Sequence, residues 1–393
     1  MTIKLYHQVG HNANWNIDSY SEDDVGDGLI LSPVHQPIHQ IENLDAEIKR
    51  TSFFDPQFYL PSSQKNKLQS YDFFPEVVSG GFSTIDFTTH AFDSAERCVN
   101  FQLLQGFDRI VIPARYYGQM VTDYEIKQEA YTVAPFLQCI RASRVEQPVY
   151  LTLPLTSHMV LDAEYRNRLL NWITSYPEIE GVYLFIDSDR GRKQIQESSL
   201  IYESLRFLKD LKLAELDVVV GYSNTESLLY GLVGDVSITC GSFENTRMFS
   251  LDKFLVSDDG RRGPKARVYV PGLLNWIQFS QAREVNEEIP GLWADIYQPS
   301  CYGDAAFSAV TEPTFNQPGL YKDYFINFSR QVDELASLDI AGRYDLLRNW
   351  LRSAEHYYSE IESARIDLEL HGSGDHIQPW LSAINKYARD YII

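Results

Sequence analysis

Acids, histidines and one arginine recur just after short apolar, β-branched runs. In a chain of alternating strands and helices, those are the places that expose functional groups. Asp55 follows Phe53-Phe54, and Arg115 closes the run Arg109–Arg115. Thr156, Ser157 and His158 follow Val149–Leu155, and Asp187 and Asp189 flank Ser188 at the end of Val182–Asp187. Tyr222 and Ser223 end the next run, and Cys240, Ser242 and Glu244 the one after it. Two carboxylates at one barrel mouth suffice to cleave a glycosidic bond, one as acid and the other as base or nucleophile. Asp55 and Asp187 are therefore the candidate catalytic pair, with Asp189, His90, His158 and Arg115 as candidate helpers. Each has a plainer reading: Asp55 precedes Pro56, as a turn residue does, and Asp187 and Asp189 stand where acids cap helices. Cys240 has a nucleophile's chemistry, but no histidine is evidently paired with it, and a packed thiol is the simpler expectation. His35 and His39 have the spacing of ligands on one helix face. Pro37 between them breaks such a helix, so no metal is expected, and no other cofactor.

The segment Arg261-Arg262-Gly263-Pro264-Lys265-Ala266-Arg267 is the one dense basic patch. Arg261, Arg262, Lys265 and Arg267 are the candidate phosphate contacts, to RNA or DNA. The plainer reading is a solvated loop that neutralises Asp258 and Asp259. The formal net charge of −20 argues against a surface that is basic everywhere, but not against a local basic groove.

These groups need elements to position them. Candidate strands are Gly28–Ser32, Phe53–Tyr59, Arg109–Arg115, Val149–Leu155, Val182–Asp187, Asp217–Tyr222, Val236–Cys240 and Arg267–Pro271. Helical patterns separate them at Asp93–Leu104, Tyr124–Ala142, Asp162–Ser175, Ser199–Leu211 and Thr225–Leu232. Eight strands alternating with helices predict a closed (β/α)8 barrel of the TIM type, with an open doubly wound sheet as the alternative. Two regions interrupt the alternation. Residues 62–92 carry the alternation Phe82, Thr84, Ile85, Phe87, which predicts a hairpin or lid inserted after the second strand. Ile289–Gly319, rich in Pro, Gly and aromatics, predicts an irregular excursion in which Trp293, Tyr297, Tyr302 and Phe307 either anchor a partner or cover the barrel. Tyr344–Glu369 reads as an amphipathic helix packed through Leu347, Trp350, Leu351, Ala354, Tyr358 and Ile361. The expected division is a barrel over 1–288 and an irregular segment with C-terminal helices over 289–393. Four dispersed cysteines without a CxxC pair, and no apolar run of membrane-spanning length, predict a soluble cytoplasmic protein.

The order of features resembles the tRNA-guanine transglycosylase family, whose members are βα barrels that exchange a base in nucleic acid. Ser79-Gly80-Gly81-Phe82 is similar to its Asp-Ser-Gly-Gly-Phe-Gln loop, and Ala95–Gly106 with Asp108–Val111 to its following helix and strand. Val149–Leu155 with the helix after it, Gly221–Asp235, Ile238–Arg247 and Leu347–Arg365 resemble later pieces in the same order. The resemblance implies a barrel that binds a base or nucleotide, and with the strand-end residues the candidate contacts are Ser79, Gly80, Gly81, His90, Arg115, His158, Cys240, Ser242 and Arg247. The departures imply that the family's reaction is lost. The general-base aspartate falls on Val78, the nucleophilic aspartate on Thr239, and the base-recognising aspartate near Arg115. The Gln-Gly-Gly loop falls on Pro154-Leu155-Thr156, and only Cys301 stands where the zinc module would be. Neither Val nor Thr supplies the negative charge that an oxocarbenium-like transition state requires. The expectation is a catalytically silent barrel that recognises nucleic acid or a nucleotide as a subunit of a larger assembly, in a specialised system such as bacterial defence, with protein partners or a homo-oligomer and no membrane. The alternatives are an enzyme with a relocated acidic site at Asp55 and Asp187, and a purely structural interaction protein.

Overall fold

The computed structural model describes residues 2–60, 63, 65–74, 84–188, 191, 193–256 and 263–393, and of residues 84–89 only the backbone. Eight parallel strands form a nearly closed α/β barrel of the TIM type. They are β1 Lys4–Gln8, β2 Gly28–Leu31, β3 Phe53–Phe54, β4 Ile110–Ile112, β5 Val149–Thr156, β6 Ile179–Asp187, β7 Asp217–Val220 and β8 Ser237–Cys240. Their order is β3-β2-β1-β8-β7-β6-β5-β4. Among the described residues no ladder joins β3 to β4. That seam is flanked by two backbone hydrogen bonds, Asp108 N to Ser52 O at 3.0 Å and Tyr116 N to Tyr59 O at 3.2 Å.

The N-terminal strand is the first correction to the sequence reading. β1 pairs with β2 through Tyr6↔Gly28 and with β8 through Tyr6↔Thr239, at the centre of the sheet. The pleat explains its composition. Leu5 faces the helical layer, while Tyr6 and Gln8 point inward, where Gln8 Oε1 accepts from Tyr183 Oη at 3.1 Å. The second correction concerns Arg267–Pro271. It supplies β9 (Arg267–Val270), which lies outside the barrel and pairs antiparallel with β10 (Asn275–Gln278) across the tight turn Pro271–Leu273.

Helices cover the outside. The described part of the insertion holds a short turn, Leu68–Ser70, and then the helix Thr84–Gln105, so the stretch from Thr84 through Phe87 is helical and not a hairpin. Phe82 lies outside the described residues. Ile289–Gly319 is largely ordered into the helices Pro290–Ile296 and Cys301–Ser308, with Pro290 in the first turn of one and the Ser300 hydroxyl capping the other by accepting from Gly303 N at 3.1 Å. Three of its aromatics pack inward. Trp293 stacks on Tyr297 at 4.6 Å and Phe307 on Phe279 at 4.8 Å, both against the β9–β10 hairpin, so they are not exposed anchors. The helix Ile340–Ser363 buries Leu347, Leu351, Ala354 and Ile361, with Trp350 and Tyr358 half-buried, and stops before Glu369. Among the described residues no helix is long and apolar enough to cross a membrane.

The barrel interior is aromatic. Tyr6, Phe53, Tyr150, Tyr183, Phe185 and Tyr222 fill it. At the strand starts the Arg109 guanidinium lies 4.5 Å from the Tyr150 ring and donates to Tyr6 Oη at 2.9 Å. Gly181 in β6 leaves room for that ring, since a Cβ there would meet Tyr150 Cε1 at 1.7 Å. Tyr150 is also tied through its hydroxyl to Asp217 Oδ2 at 2.9 Å, so it has little room to yield. Gly181→Ala is therefore expected to cost about 1–3 kcal/mol. Urea unfolding midpoints measure this, and an unchanged midpoint would show that the ring can move aside.

Candidate functional site

At the carboxyl end of β3 the Asp55 carboxyl is completely enclosed. Oδ1 accepts from Gln57 N at 3.0 Å and from Tyr59 Oη at 2.9 Å, and Oδ2 accepts from Tyr222 Oη at 3.3 Å, with Tyr183 Oη 3.5 Å away. Burial pushes its pKa up to about 6, against the opposing pull of Lys253 and these hydrogen bonds. Gln57 and Tyr222 both hold left-handed backbone, at φ 57° and 47°. Gln57 Nε2 also donates to Tyr222 Oη at 2.9 Å, so the network fixes both residues. Above the carboxyl, the rings of Tyr59, Phe185, Phe249 and Phe254 pack edge to face and stacked, with Phe249 4.3 Å from Phe185. The Lys253 ammonium sits 3.6 Å from the Tyr222 ring. Asp55 thus has the perturbed pKa of an acid catalyst, but a closed aromatic lid covers it.

The other expected residues are not gathered round Asp55. Asp187 accepts from the Tyr116 hydroxyl at the end of β6. His90 and His158 are exposed on separate helices, Thr84–Gln105 and Ser157–Leu161. Arg115 is buried, and its guanidinium lies 3.9 Å from the Tyr131 ring in the helical segment that follows β4. Thr239 is buried in β8 and donates through Oγ1 to Val220 O at 3.2 Å. Ser242 is buried and donates to Asn16 Oδ1 at 3.4 Å. Cys240 does have a histidine, since its Sγ lies 3.6 Å from His7 Nδ1. The pair is nevertheless inert: burial drives the thiol well up and the imidazole down to about 4, the reverse of a thiolate–imidazolium couple. Val78, Ser79, Gly80, Gly81, Asp189, Arg261 and Arg262 lie outside the described residues.

Three expected residues do converge, at a different place. Arg247, Lys265 and Arg267 line an open cleft of about 650 Å³ between the end of β8 and the β9–β10 hairpin, together with His11, Phe243, Glu244, Asn245, Trp276, Phe315 and Tyr321. That volume suits a small ligand. The short helix Glu244–Arg247 and the hairpin position its cations. Arg247 is 5% exposed and stacks 3.9 Å over the Trp276 ring. It donates through Nη1 to Ser242 O at 3.1 Å and Gly241 O at 3.3 Å, while its buried Nε has no partner among the described residues. Burial works against its charge, and the nearby Glu244 is already paired with Lys193. Arg267 pairs with Glu369, and Lys265 Nζ donates to Gln278 Oε1 at 3.2 Å.

Aromatic rings form the rest of the wall. Tyr321 stacks on Trp15 at 5.3 Å and lies 5.3 Å from Phe243. Phe315 closes over Gly263, where a Cβ would lie 1.7 Å from the ring. The sequence reading missed Trp276, Tyr321, Phe315 and His11 because they come from segments distant in the chain and carry no shared motif. Trp276, one residue into β10 after the Pro271–Leu273 turn, is the one that a hairpin reading of that stretch would have placed beside Arg267.

Among the described residues no group of three His, Cys, Asp or Glu side chains could hold a metal ion. Comparison with protein-family models, with curated proteins and with solved structures returns no match.

Proposed function

We propose that this barrel recognises a nucleotide unit in the Arg247–Trp276 cleft, without base-exchange chemistry at the barrel axis. The observation that carries the reading is the pairing of flat rings with cations in one cleft of an acidic chain. Phe243, Phe315 and Tyr321, all partly exposed, offer stacking surfaces beside the buried Trp276, and Arg247, Lys265 and Arg267 offer charge. A buried arginine with an unused Nε favours an anion, and a phosphate accepts from a guanidinium in a planar, bidentate way. The axis itself is filled: Asp55 is enclosed by rings, and Thr239 is spent on a backbone carbonyl. This supports recognition over cleavage.

The test is calorimetric titration of the four nucleoside 5′-monophosphates at low salt, on the native chain and on Phe315→Ala, Tyr321→Ala and Lys265→Ala. These side chains are at least partly exposed, so the variants should fold. Each is expected to weaken binding by about tenfold, in line with the loss of one stacked ring or one phosphate contact. Absence of saturable binding, or affinities indifferent to all three substitutions, would overturn the reading.

A further inference from the structure

A second cavity adjoins the first. It has a volume of about 490 Å³ and is lined by His11, Val34, His35, Lys65, Asn66, Lys67, Asn245, Lys253 and Val256. His11 and Asn245 belong to both cavities, so the two share a wall on the carboxyl-terminal face of the barrel. In a chain of net charge −20, three lysines and two histidines meet here, and no carboxylate is among the described lining residues.

The field inside is positive enough to act on a neighbour. The His35 imidazole is held well below its ordinary pKa, by burial first and then by Lys253, Lys67, His11 and Lys65. Its Nε2 is buried without a partner among the described residues, as is Asn245 Oδ1 on the shared wall. Lys67 Nζ donates to the His35 carbonyl at 2.6 Å, which fixes one ammonium at the rim. The cavity has no aromatic lining of its own. Its charged lining is cationic, with Val34 and Val256 as apolar wall, next to a cleft that carries rings and charge.

From this arrangement we propose that the second cavity is a phosphate subsite continuous with the cleft, and that the ligand is a single-stranded oligonucleotide rather than a free mononucleotide. The inference rests on the cleft reading and extends it. A stacking platform beside a cationic track that follows the backbone is the general solution for binding single strands. A duplex keeps its bases paired inside and cannot offer one to the Phe315 and Tyr321 rings.

The experiment compares 5′-phosphorylated mono-, di- and hexanucleotides, in uridine and thymidine series, by calorimetry and fluorescence anisotropy across a salt series. The native chain is expected to bind the dinucleotide at least tenfold more tightly than the mononucleotide. The double variant Lys65→Glu/Lys67→Glu, both at the surface, should lose that gain, keep mononucleotide affinity within about twofold, and show a shallower salt dependence for the hexanucleotide. Affinity independent of length, a double variant that binds the oligonucleotides as the native chain does, or equal affinity for a duplex of the same length would overturn the inference. Absence of binding to every member of both series would overturn the cleft reading itself.

Discussion

Asp55→Ala is expected to lower the stability of the folded chain by about 3–5 kcal/mol, the range for breaking a buried charged network from one side. The substitution removes the acceptor of the Tyr59 and Tyr222 hydroxyls and of the Gln57 N–H, and none of these can reach water. It also leaves Lys253 without the carboxylate that faces it, and it releases Tyr222 and Gln57 from the contacts that hold their left-handed backbone. Asp55→Asn keeps one acceptor oxygen and is expected to cost less. Urea denaturation of the three proteins measures the order. A carboxylate kept for catalysis would behave oppositely, with stability unchanged or improved on removal. That outcome would return Asp55 to the list of catalytic candidates.

Glu226→Gln should grow more stable relative to the native chain by roughly 3 kcal/mol as pH rises from about 4.5 to 8. Glu226 is 5% exposed, and its Oε1 accepts from Asn224 N at 2.9 Å, with Oε2 left without a partner among the described residues. Burial raises its pKa from 4.5 to about 7. The folded state therefore holds this proton more tightly than the unfolded chain does. Its stabilising effect is complete below pH 4.5 and is lost as pH rises through 7. Glutamine has no proton to lose. Asp55 and Asp323, both raised to about 6, act in the same direction. His7 and His376, both lowered to about 4, act in the opposite one, adding stability as pH rises toward 6.5. The profile of the native chain mixes these effects. The difference between native and variant unfolding free energies isolates Glu226, and a difference constant from pH 4.5 to 8 would refute the account.

What could be read in the sequence depended on how each element meets its surroundings. β5, β6 and β7 are continuous apolar runs because both faces are buried, so they were visible. β1 was hidden because it buries polar groups on both faces: Gln8 points into the barrel and His7 toward the helices, both hydrogen-bonded, yet in a sequence they look like a solvated N-terminal tail. Arg267–Val270 has a strand's composition, and nothing local distinguishes a barrel strand from a hairpin strand. The turn at Pro271–Leu273 and the short run Asn275–Gln278 decide it. The site was legible only in its charges. Lys265 and Arg267 stood out in the basic patch and Arg247 only through the family resemblance, whereas the rings that complete the cleft come from separate stretches around Phe243, Trp276, Phe315 and Tyr321. Asp55 drew attention as an acid at a strand end. Its enclosure depends on Phe249 and Phe254, nearly two hundred residues later in the chain.

The placement of β1 also bears on synthesis. The strand completed first by the ribosome is bonded on one side by β2 and on the other by β8, and His7 touches Cys240 across 233 residues. At ordinary elongation rates of about 5–20 residues per second, β1 waits on the order of ten to fifty seconds for that neighbour to emerge. During the wait one edge of β1 offers unpaired N–H and C=O groups to any passing strand. The nascent chain is most open to mispairing in that interval, and a chaperone that shields strand edges would help this protein most before residue 240 leaves the exit tunnel.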